Sequence, residues 1–185
     1  MQFELSCRSR RFTLSIQTSS AARTFAAELS RELKIDVEAV HDPNGCDSDR
    51  AMFWSRATTA NSFLSIKRMS PTGAFIAAVG ADDTHKQELD PALMASAKVV
   101  ADSLEQSCTI GDTHHAIAKG LMSKENVYAD LGEIVAGKKS GRVSDNEIII
   151  FDSTGIAIED AAAAVRSFTQ RRPHAESGTR FAFAA

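Results

Sequence analysis

The chain has 185 residues, of which 43% are hydrophobic and 24% charged; this composition is typical of one globular domain and excludes a disordered or fibrous protein. Its 21 basic and 24 acidic residues give a net charge of −3, so there is no basic excess of the kind that binds nucleic acid or an anionic membrane. The three cysteines are widely spaced, and no apolar run is long enough to cross a membrane. We therefore expect a cytoplasmic protein with reduced thiols and without nucleic-acid or membrane partners.

The first third of the chain has the pattern of a strand, a helix and a second strand. Apolar and polar residues alternate over residues 12–16, and apolar residues then recur at helical spacing after a start at Ser19 or Ser20. Alternation returns over residues 37–40 and ends in a cluster of turn-forming residues. Residues 46–70 have no stable period, and we assign no element there.

The rest of the chain alternates short apolar strands with helices. Strands are predicted over residues 73–82, 97–102 and 147–155, and the almost continuous apolar character of the first and third predicts burial on both faces. Helices are predicted over residues 89–96, on both sides of a break at Gly111, over residues 126–136 and over residues 156–169. The alternation predicts an α/β fold with a parallel sheet and flanking helices, over residues 1–170, followed by a tail at residues 171–185.

Ligands of such sheets bind beyond the carboxyl ends of the strands. Asp82 lies there, with Asp83 beside it and Lys86 a few residues on, so a carboxylate for proton transfer and a cation for an anionic ligand come together. The alternative is a solvated loop whose aspartate caps the next helix. Ser153 and Thr154 follow another buried strand, and their hydroxyls suit hydrogen bonding to a ligand, although a plain turn explains them equally well.

Two other features are poor candidates for chemistry. His114 and His115 are adjacent, so they do not share a helix face, and no third ligand stands at metal spacing. Cys108 has no basic neighbour in the sequence that would lower its pKa and activate it as a nucleophile. We predict neither a metal site nor a catalytic cysteine.

Three segments carry a resemblance to a known family. They read GAFIAAVGADDTHKQELDP at residues 73–91, AKVVADSLEQSCTIGDTHHAI at residues 97–117 and ADLGEIVAGKKSGRVSDNEIIIFDSTGIAIED at residues 129–160. In this order they are similar to the VGAD loop, the VVDS-x-EQ strand and helix, the LGE block and the FDSTG strand exit of the ornithine cyclodeaminase/mu-crystallin family of NAD(P)-dependent enzymes.

The resemblance implies roles for four residues. Asp82 looks like the acid/base beside the nicotinamide and the substrate nitrogen, and Lys86 looks like a residue that contacts the cofactor. Ser153 is similar to a residue at the nicotinamide end of the cofactor, and Thr154 to one that contacts the substrate. The implied cofactor is NAD or NADP, and the implied substrate is a small amino acid or cyclic imine.

The implied activity is the NAD-dependent conversion of ornithine to proline and ammonia. Other members of the family reduce ketimines such as pyrroline-2-carboxylate, or interconvert alanine and pyruvate, and the sequence does not choose among them. A non-catalytic remnant is the alternative from a different class.

The sequence also departs from the family pattern. Its first glycine is Gly45, whereas the dinucleotide fold needs a glycine-rich turn after its first strand to approach the pyrophosphate. We therefore expect an incomplete Rossmann-like sheet that lacks the first strand, the glycine-rich loop and the family's substrate and dimerisation domain. On this interpretation the chain is truncated, poorly active alone and marginally stable, and the family's homodimer would not form through that domain.

Overall fold

The computed structural model describes residues 11–14, 19–34, 36–39, 53–56 and 72–171. Near the amino terminus, strand β1 (Arg11–Leu14) pairs in parallel with strand β2 (Asp36–Ala39), and helix α1 (Ser19–Leu33) connects them. The predicted strand, helix and strand are therefore confirmed, with strand ends that differ by one or two residues. The predicted tail beyond Arg171 lies outside the described residues.

The remaining described strands form one five-stranded parallel sheet. In chain order its strands are β3 (Phe53–Arg56), β4 (Phe75–Ala78), β5 (Lys98–Ala101), β6 (Ala129–Asp130) and β7 (Ile149–Asp152). Their order across the sheet is β3, β4, β7, β5, β6. The helices that follow or connect them are α2 (Pro91–Ser96), α3 (Leu104–Ile110), α4 (Asp112–Ala118), α5 (Leu131–Val135) and α6 (Ala157–Arg171). This is the parallel α/β architecture that the sequence predicts.

Strand β3 lies within the segment to which the sequence pattern assigns no element. It pairs with β4 so that Phe53 stands opposite Phe75 and Arg56 opposite Ala78. Four residues are too few to establish a period of two. Pairing with a neighbouring strand, which local propensity does not reveal, decides their conformation.

The predicted helix over residues 126–136 is wrong in its first half. A 3-10 helix ends at Asn126, β6 follows, and α5 occupies only the last part of the predicted range. The break occurs at Asp130, because its backbone N–H donates to the Glu133 carboxylate over 3.2 Å and both residues form a capping box that starts α5. Gly137, with a φ of +70°, follows α5 as predicted.

The core lies between β4, β5, β7 and the helices that cover them. Ile76, Leu89, Met94, Val99 and Ile150 are fully buried there. In this sheet Ala78 of β4 and Ala101 of β5 both stand opposite Asp152 of β7. The three strands therefore end level with one another, and the loops that follow them leave the same edge of the sheet.

Candidate functional site

The carboxyl edge of β4, β7 and β5 holds every site residue that the sequence singles out. The backbone N–H of Ser153 donates to the Ala78 carbonyl over 2.8 Å, which ties the exit of β7 to the end of β4. On the other side the Asp102 N–H donates to the Asp152 carbonyl over 3.2 Å. Two candidate groups, one after β4 and one after β7, thus emerge on adjacent strands.

The loop after β4 presents an exposed ion pair. Lys86 Nζ lies 2.5 Å from Asp82 Oδ1, and 55% of the Asp82 side chain is accessible to solvent. Asp83 serves a different purpose, because its carboxylate accepts a hydrogen bond from the His85 backbone N–H over 2.9 Å, which lowers the pKa of Asp83. Both aspartates are exposed, but they differ in partner, since Asp82 pairs with the Lys86 ammonium and Asp83 bonds to His85.

The capping alternative does not describe this loop. Helix α2 takes its cap from Asp90, whose carboxylate accepts from the Ala92 backbone N–H over 2.9 Å, and Pro91 occupies its first turn as predicted. Asp82 and Asp83 are thus not needed to begin the next helix.

Three contacts, one of them buried and two half-buried, hold the loop in place. Glu88 is fully buried, and its Oε2 accepts from the Gly80 backbone N–H over 2.8 Å. The Glu88 N–H in turn donates to Asp112 Oδ1 over 2.8 Å, at the start of α4. His115, also on α4, places Nε2 at 2.8 Å from the Lys86 carbonyl oxygen. The Asp82–Lys86 segment therefore has a fixed attachment to α4.

Asp102 organises the loop after β7. Its Oδ2 accepts from the backbone N–H groups of Thr154 over 2.8 Å and Gly155 over 2.7 Å, and from Ser153 Oγ over 3.1 Å. Its Oδ1 accepts from the Ser103 N–H over 2.7 Å and from Thr154 Oγ1 over 3.1 Å. One buried carboxylate thus determines both the backbone and the hydroxyl orientation of the predicted binding pair.

Asp152 performs a similar task for the start of α4. It is fully buried, and its carboxylate accepts from the Thr113 backbone N–H over 2.9 Å and from Thr113 Oγ1 over 2.6 Å. The Asp112 N–H also donates to it, over 3.2 Å. Burial raises the pKa of Asp152 to about 6, and the hydrogen bonds from Thr113 oppose that rise.

Asp112 is the carboxyl group most strongly affected by burial. Its Oδ1 accepts from the N–H groups of Glu88 and Leu89, whereas its Oδ2 is buried without a hydrogen-bond partner in the described part of the chain. Burial, and then the charge of Asp152, raise the pKa of Asp112 to about 7. Asp152 accepts three hydrogen bonds on its two oxygens, whereas Asp112 accepts two on Oδ1 and none on Oδ2, so the pKa of Asp112 is raised further than that of Asp152.

Gly111 shows how closely this network is packed. A Cβ added there would lie 2.8 Å from Asp152 Oδ2 and 3.0 Å from the Ser107 Cα. We expect Gly111→Ala to lower the free energy of unfolding by about 1–3 kcal/mol, because the buried carboxylate cannot move away without losing its hydrogen bonds. Urea unfolding followed by circular dichroism measures the effect.

Gly132 provides the matched control for that substitution. It lies exposed in α5 with nothing within 4 Å of an added Cβ, so Gly132→Ala should raise stability by about 0.5–1 kcal/mol. If the two alanine variants had equal stabilities, the packing of Gly111 against Asp152 would not matter.

His114, His115 and Cys108, the candidates that the sequence disfavours, all lie in the described part of the chain. The rings of His114 and His115 meet edge to face with their centroids 5.3 Å apart, and the described residues contain no cluster of three or more potential metal ligands. Burial raises the pKa of the Cys108 thiol, which opposes nucleophilic reactivity. None of the helices in the described part of the chain combines the length and apolar character needed to cross a membrane.

The sequence singles out Asp82, Lys86, Ser153 and Thr154, and the structure places them in two loops on adjacent strands. The sequence does not reveal that Asp102 accepts hydrogen bonds from the Ser153–Thr154 loop. Nor does it reveal that Glu88, Asp112 and Asp152 connect the loops beneath the site. The available signal in the sequence was the presence of acidic residues near the ends of strands and helices. Only their meeting in space distinguishes them from surface carboxylates.

A parallel sheet with polar loops grouped beyond its carboxyl edge is the arrangement of nucleotide-binding α/β domains. The chain belongs to the ornithine cyclodeaminase/mu-crystallin family, whose model matches residues 5–170. The resemblance stated from the sequence is therefore confirmed.

The chain is similar to two enzymes in particular parts of its length. An iminosuccinate reductase of Paracoccus denitrificans is 40% identical over 75% of this chain and 42% of its own length. The alanine dehydrogenase of Archaeoglobus fulgidus is 51% identical over 50% of this chain and 29% of its own length.

Solved structures agree with the fold. The Thermococcus litoralis pyrroline-2-carboxylate reductase, in complex with NADH and L-proline, superimposes with a TM-score of 0.82 at 29% identity, covering 92% of this chain and 53% of that one. The sheet is thus Rossmann-like, as predicted, and NAD(P) is the family's cofactor. The chain spans about half the length of the curated relatives it matches.

Proposed function

We propose that this chain forms the nicotinamide-side part of an NAD(P)-dependent oxidoreductase that interconverts an amino acid and its imine. The observation that carries the proposal is the pairing, on adjacent strand ends, of an exposed carboxylate–ammonium loop with a rigid hydroxyl loop. Named relatives that catalyse dehydrogenation or imine reduction support this reaction class over ornithine cyclisation.

Each candidate residue has a role in this reaction. Asp82 transfers a proton to or from the substrate nitrogen as hydride moves, and its exposed position leaves it accessible to a substrate. Lys86 holds that carboxylate in place and contacts the cofactor. Ser153 lies at the nicotinamide and Thr154 at the substrate. The cofactor supplies the hydride, and the protein supplies orientation and the proton.

The described residues fit the nicotinamide end of the cofactor better than its pyrophosphate. A rigid pair of hydroxyls suits a flat polar ring, whereas pyrophosphate binding needs close backbone approach at a glycine-rich turn. No glycine precedes Gly45, so that part of the sequence does not provide such a turn. The lack of glycine before Gly45 favours weak cofactor binding by the chain alone. A non-catalytic protein is therefore the alternative function.

A titration of the purified chain with NADH tests the proposal. We expect weak, saturable binding, with a Kd of roughly millimolar order, detected as a rise in NADH fluorescence. Ser153→Ala should weaken it several-fold, because Ser153 lies at the proposed nicotinamide site. Ser96→Ala is the matched control, since that hydroxyl is exposed and donates only to the Leu93 carbonyl.

Two results would contradict the proposal. One is an absence of saturable binding at millimolar NADH, which would leave the non-catalytic alternative. The other is binding that is equally strong in the Ser153→Ala and Ser96→Ala variants, which would place the dinucleotide elsewhere on the chain.

A further inference from the structure

The hydroxyl groups of Ser153 and Thr154 are already committed as hydrogen-bond donors. Three of the five groups that approach the Asp102 carboxylate are backbone N–H groups, which can only donate, so both carboxylate oxygens act as acceptors. The two hydroxyls share those oxygens, with distances of 3.1 Å from Ser153 Oγ and 3.1 Å from Thr154 Oγ1. Their single protons therefore point towards Asp102.

A hydroxyl that already donates its proton to Asp102 can only accept a hydrogen bond from a ligand, through the lone pairs of its oxygen. A carboxylate or phosphate oxygen placed against either hydroxyl would meet another acceptor and gain no hydrogen bond. An N–H group would find an acceptor whose basicity is raised by the charged carboxylate behind it. The loop thus favours ligands that donate a hydrogen bond over ligands that accept one.

We infer that Asp102 is a positioning residue that makes the Ser153–Thr154 loop a receptor for an N–H donor. The inference rests on the proposed function for the identity of the ligand. Two groups have the required chemistry there: the carboxamide NH₂ of the nicotinamide and the ammonium or iminium N–H of the substrate.

The rigidity of the loop supports the same conclusion. Asp102 is 7% exposed, and Ser153 and Thr154 are 9% and 6% exposed, so bulk water does not compete freely for the hydroxyl protons. Gly155, with a φ of +79°, ends the turn, and its carbonyl accepts from Gln106 Nε2 over 2.9 Å. The hydroxyl groups of Ser153 and Thr154 therefore cannot turn their protons away from Asp102 without breaking several contacts.

The first test compares ligands with and without the N–H group; the proline pair also differs in charge, because the ring nitrogen of proline is an ammonium group at neutral pH. Reduced 3-acetylpyridine adenine dinucleotide has a methyl group in place of the carboxamide NH₂ of NADH. Tetrahydrofuran-2-carboxylate has an ether oxygen in place of the ring N–H of L-proline. We expect the chain to prefer the N–H member of at least one pair by about tenfold, the size of one hydrogen bond, and the pair that is discriminated identifies the source.

Variants then connect the preference to the loop. Thr154→Val or Ser153→Ala should remove the discrimination, and Thr154→Ser should retain it because the hydroxyl remains. Asp102→Asn should reduce it, whereas Asp145→Asn, at an exposed position, should not. A variant that was merely less stable would bind both members of a pair more weakly and leave their ratio unchanged. If Asp102→Asn does not fold, the two substitutions of Thr154 decide.

A second measurement needs no ligand. Nuclear magnetic resonance of the free chain should detect hydroxyl protons of Ser153 and Thr154 that exchange with water much more slowly than that of exposed Ser96. Fast exchange at both positions, or equal binding of both members of both ligand pairs, would overturn the inference. If the chain bound no NADH, the proposed function would fail instead, and the exchange rates alone would decide the hydrogen-bond polarity.

Discussion

Under the proposed function, replacing Asp82 by asparagine is expected to lower the kcat of imine reduction by about 10²- to 10⁴-fold, the usual contribution of a general acid or base. Asparagine has the same shape and keeps an oxygen that can accept from Lys86 Nζ, but it cannot exchange a proton with the substrate nitrogen. The KM values should change little. NADH oxidation with pyrroline-2-carboxylate, or with pyruvate and ammonia, measures the effect.

Asp83→Asn is the matched control for this experiment. Asp83 carries the same charge in the same loop, yet it bonds to His85, and an asparagine oxygen can still accept from the His85 N–H. We expect its kcat to remain within about twofold of the unchanged protein. Because the Asp82–Lys86 pair is exposed, its loss costs at most about 1 kcal/mol, so reduced turnover would not reflect unfolding. Equal turnover in the two variants would remove Asp82 from the mechanism.

We expect Asp112 to make the free energy of unfolding depend on pH. The pKa of Asp112 is about 7 in the folded chain, against an ordinary value of 3.8, and its causes are burial and then the charge of Asp152. The folded state therefore keeps a proton that the unfolded chain loses. Its contribution to stability is present at low pH and is lost as the pH rises from about 4 to about 7, at about 1.4 kcal/mol per pH unit for one proton.

Asp112→Asn should remove this dependence. Asparagine resembles the protonated acid, and its oxygen can still accept from the N–H groups of Glu88 and Leu89. We expect the variant to be more stable than the unchanged chain by a few kcal/mol at pH 8 and of nearly equal stability at pH 4. Urea unfolding at both pH values, followed by circular dichroism, measures the difference.

The comparison has a clear contrary outcome. Asp145 is exposed, so Asp145→Asn should change stability little at either pH. If Asp112→Asn instead destabilised the chain at pH 8, burial of the ionised Asp112 carboxylate would not cost stability, and any pH dependence would arise elsewhere in the cluster. Asp152, with a pKa raised to about 6, would then be the next candidate.

The carboxylates of Asp82 and Asp112 have different roles at the edge of the sheet. Asp82 is exposed and suited to exchange protons with a substrate, whereas Asp112 is buried and serves to hold the neighbouring loops. Asp102 connects the framework to the ligand side by orienting two hydroxyls. The raised pKa of Asp112 is thus a consequence of structural burial.

Local patterns in the sequence determine the α/β class and most of the elements. The apolar runs that became β4 and β7 are almost continuous, because central parallel strands are buried on both faces. Asp90 and Pro91 predict the start of α2, since capping depends on a few adjacent residues. The positions of Asp82, Lys86, Ser153 and Thr154 shortly after predicted strands indicate the same two loops that the structure brings to one edge.

Tertiary structure alone decided the remaining features. Strand β3 exists because β4 lies beside it, and β6 interrupts a segment with a helical pattern because it pairs with β5. The long-range hydrogen bonds that the carboxylates of Asp102, Asp112 and Asp152 accept join residues that are 23 to 53 positions apart in the chain. Local propensity reports on a few neighbouring residues, whereas burial and hydrogen-bond satisfaction depend on groups that meet only after folding, so the sequence indicated which residues matter but not how they act on one another.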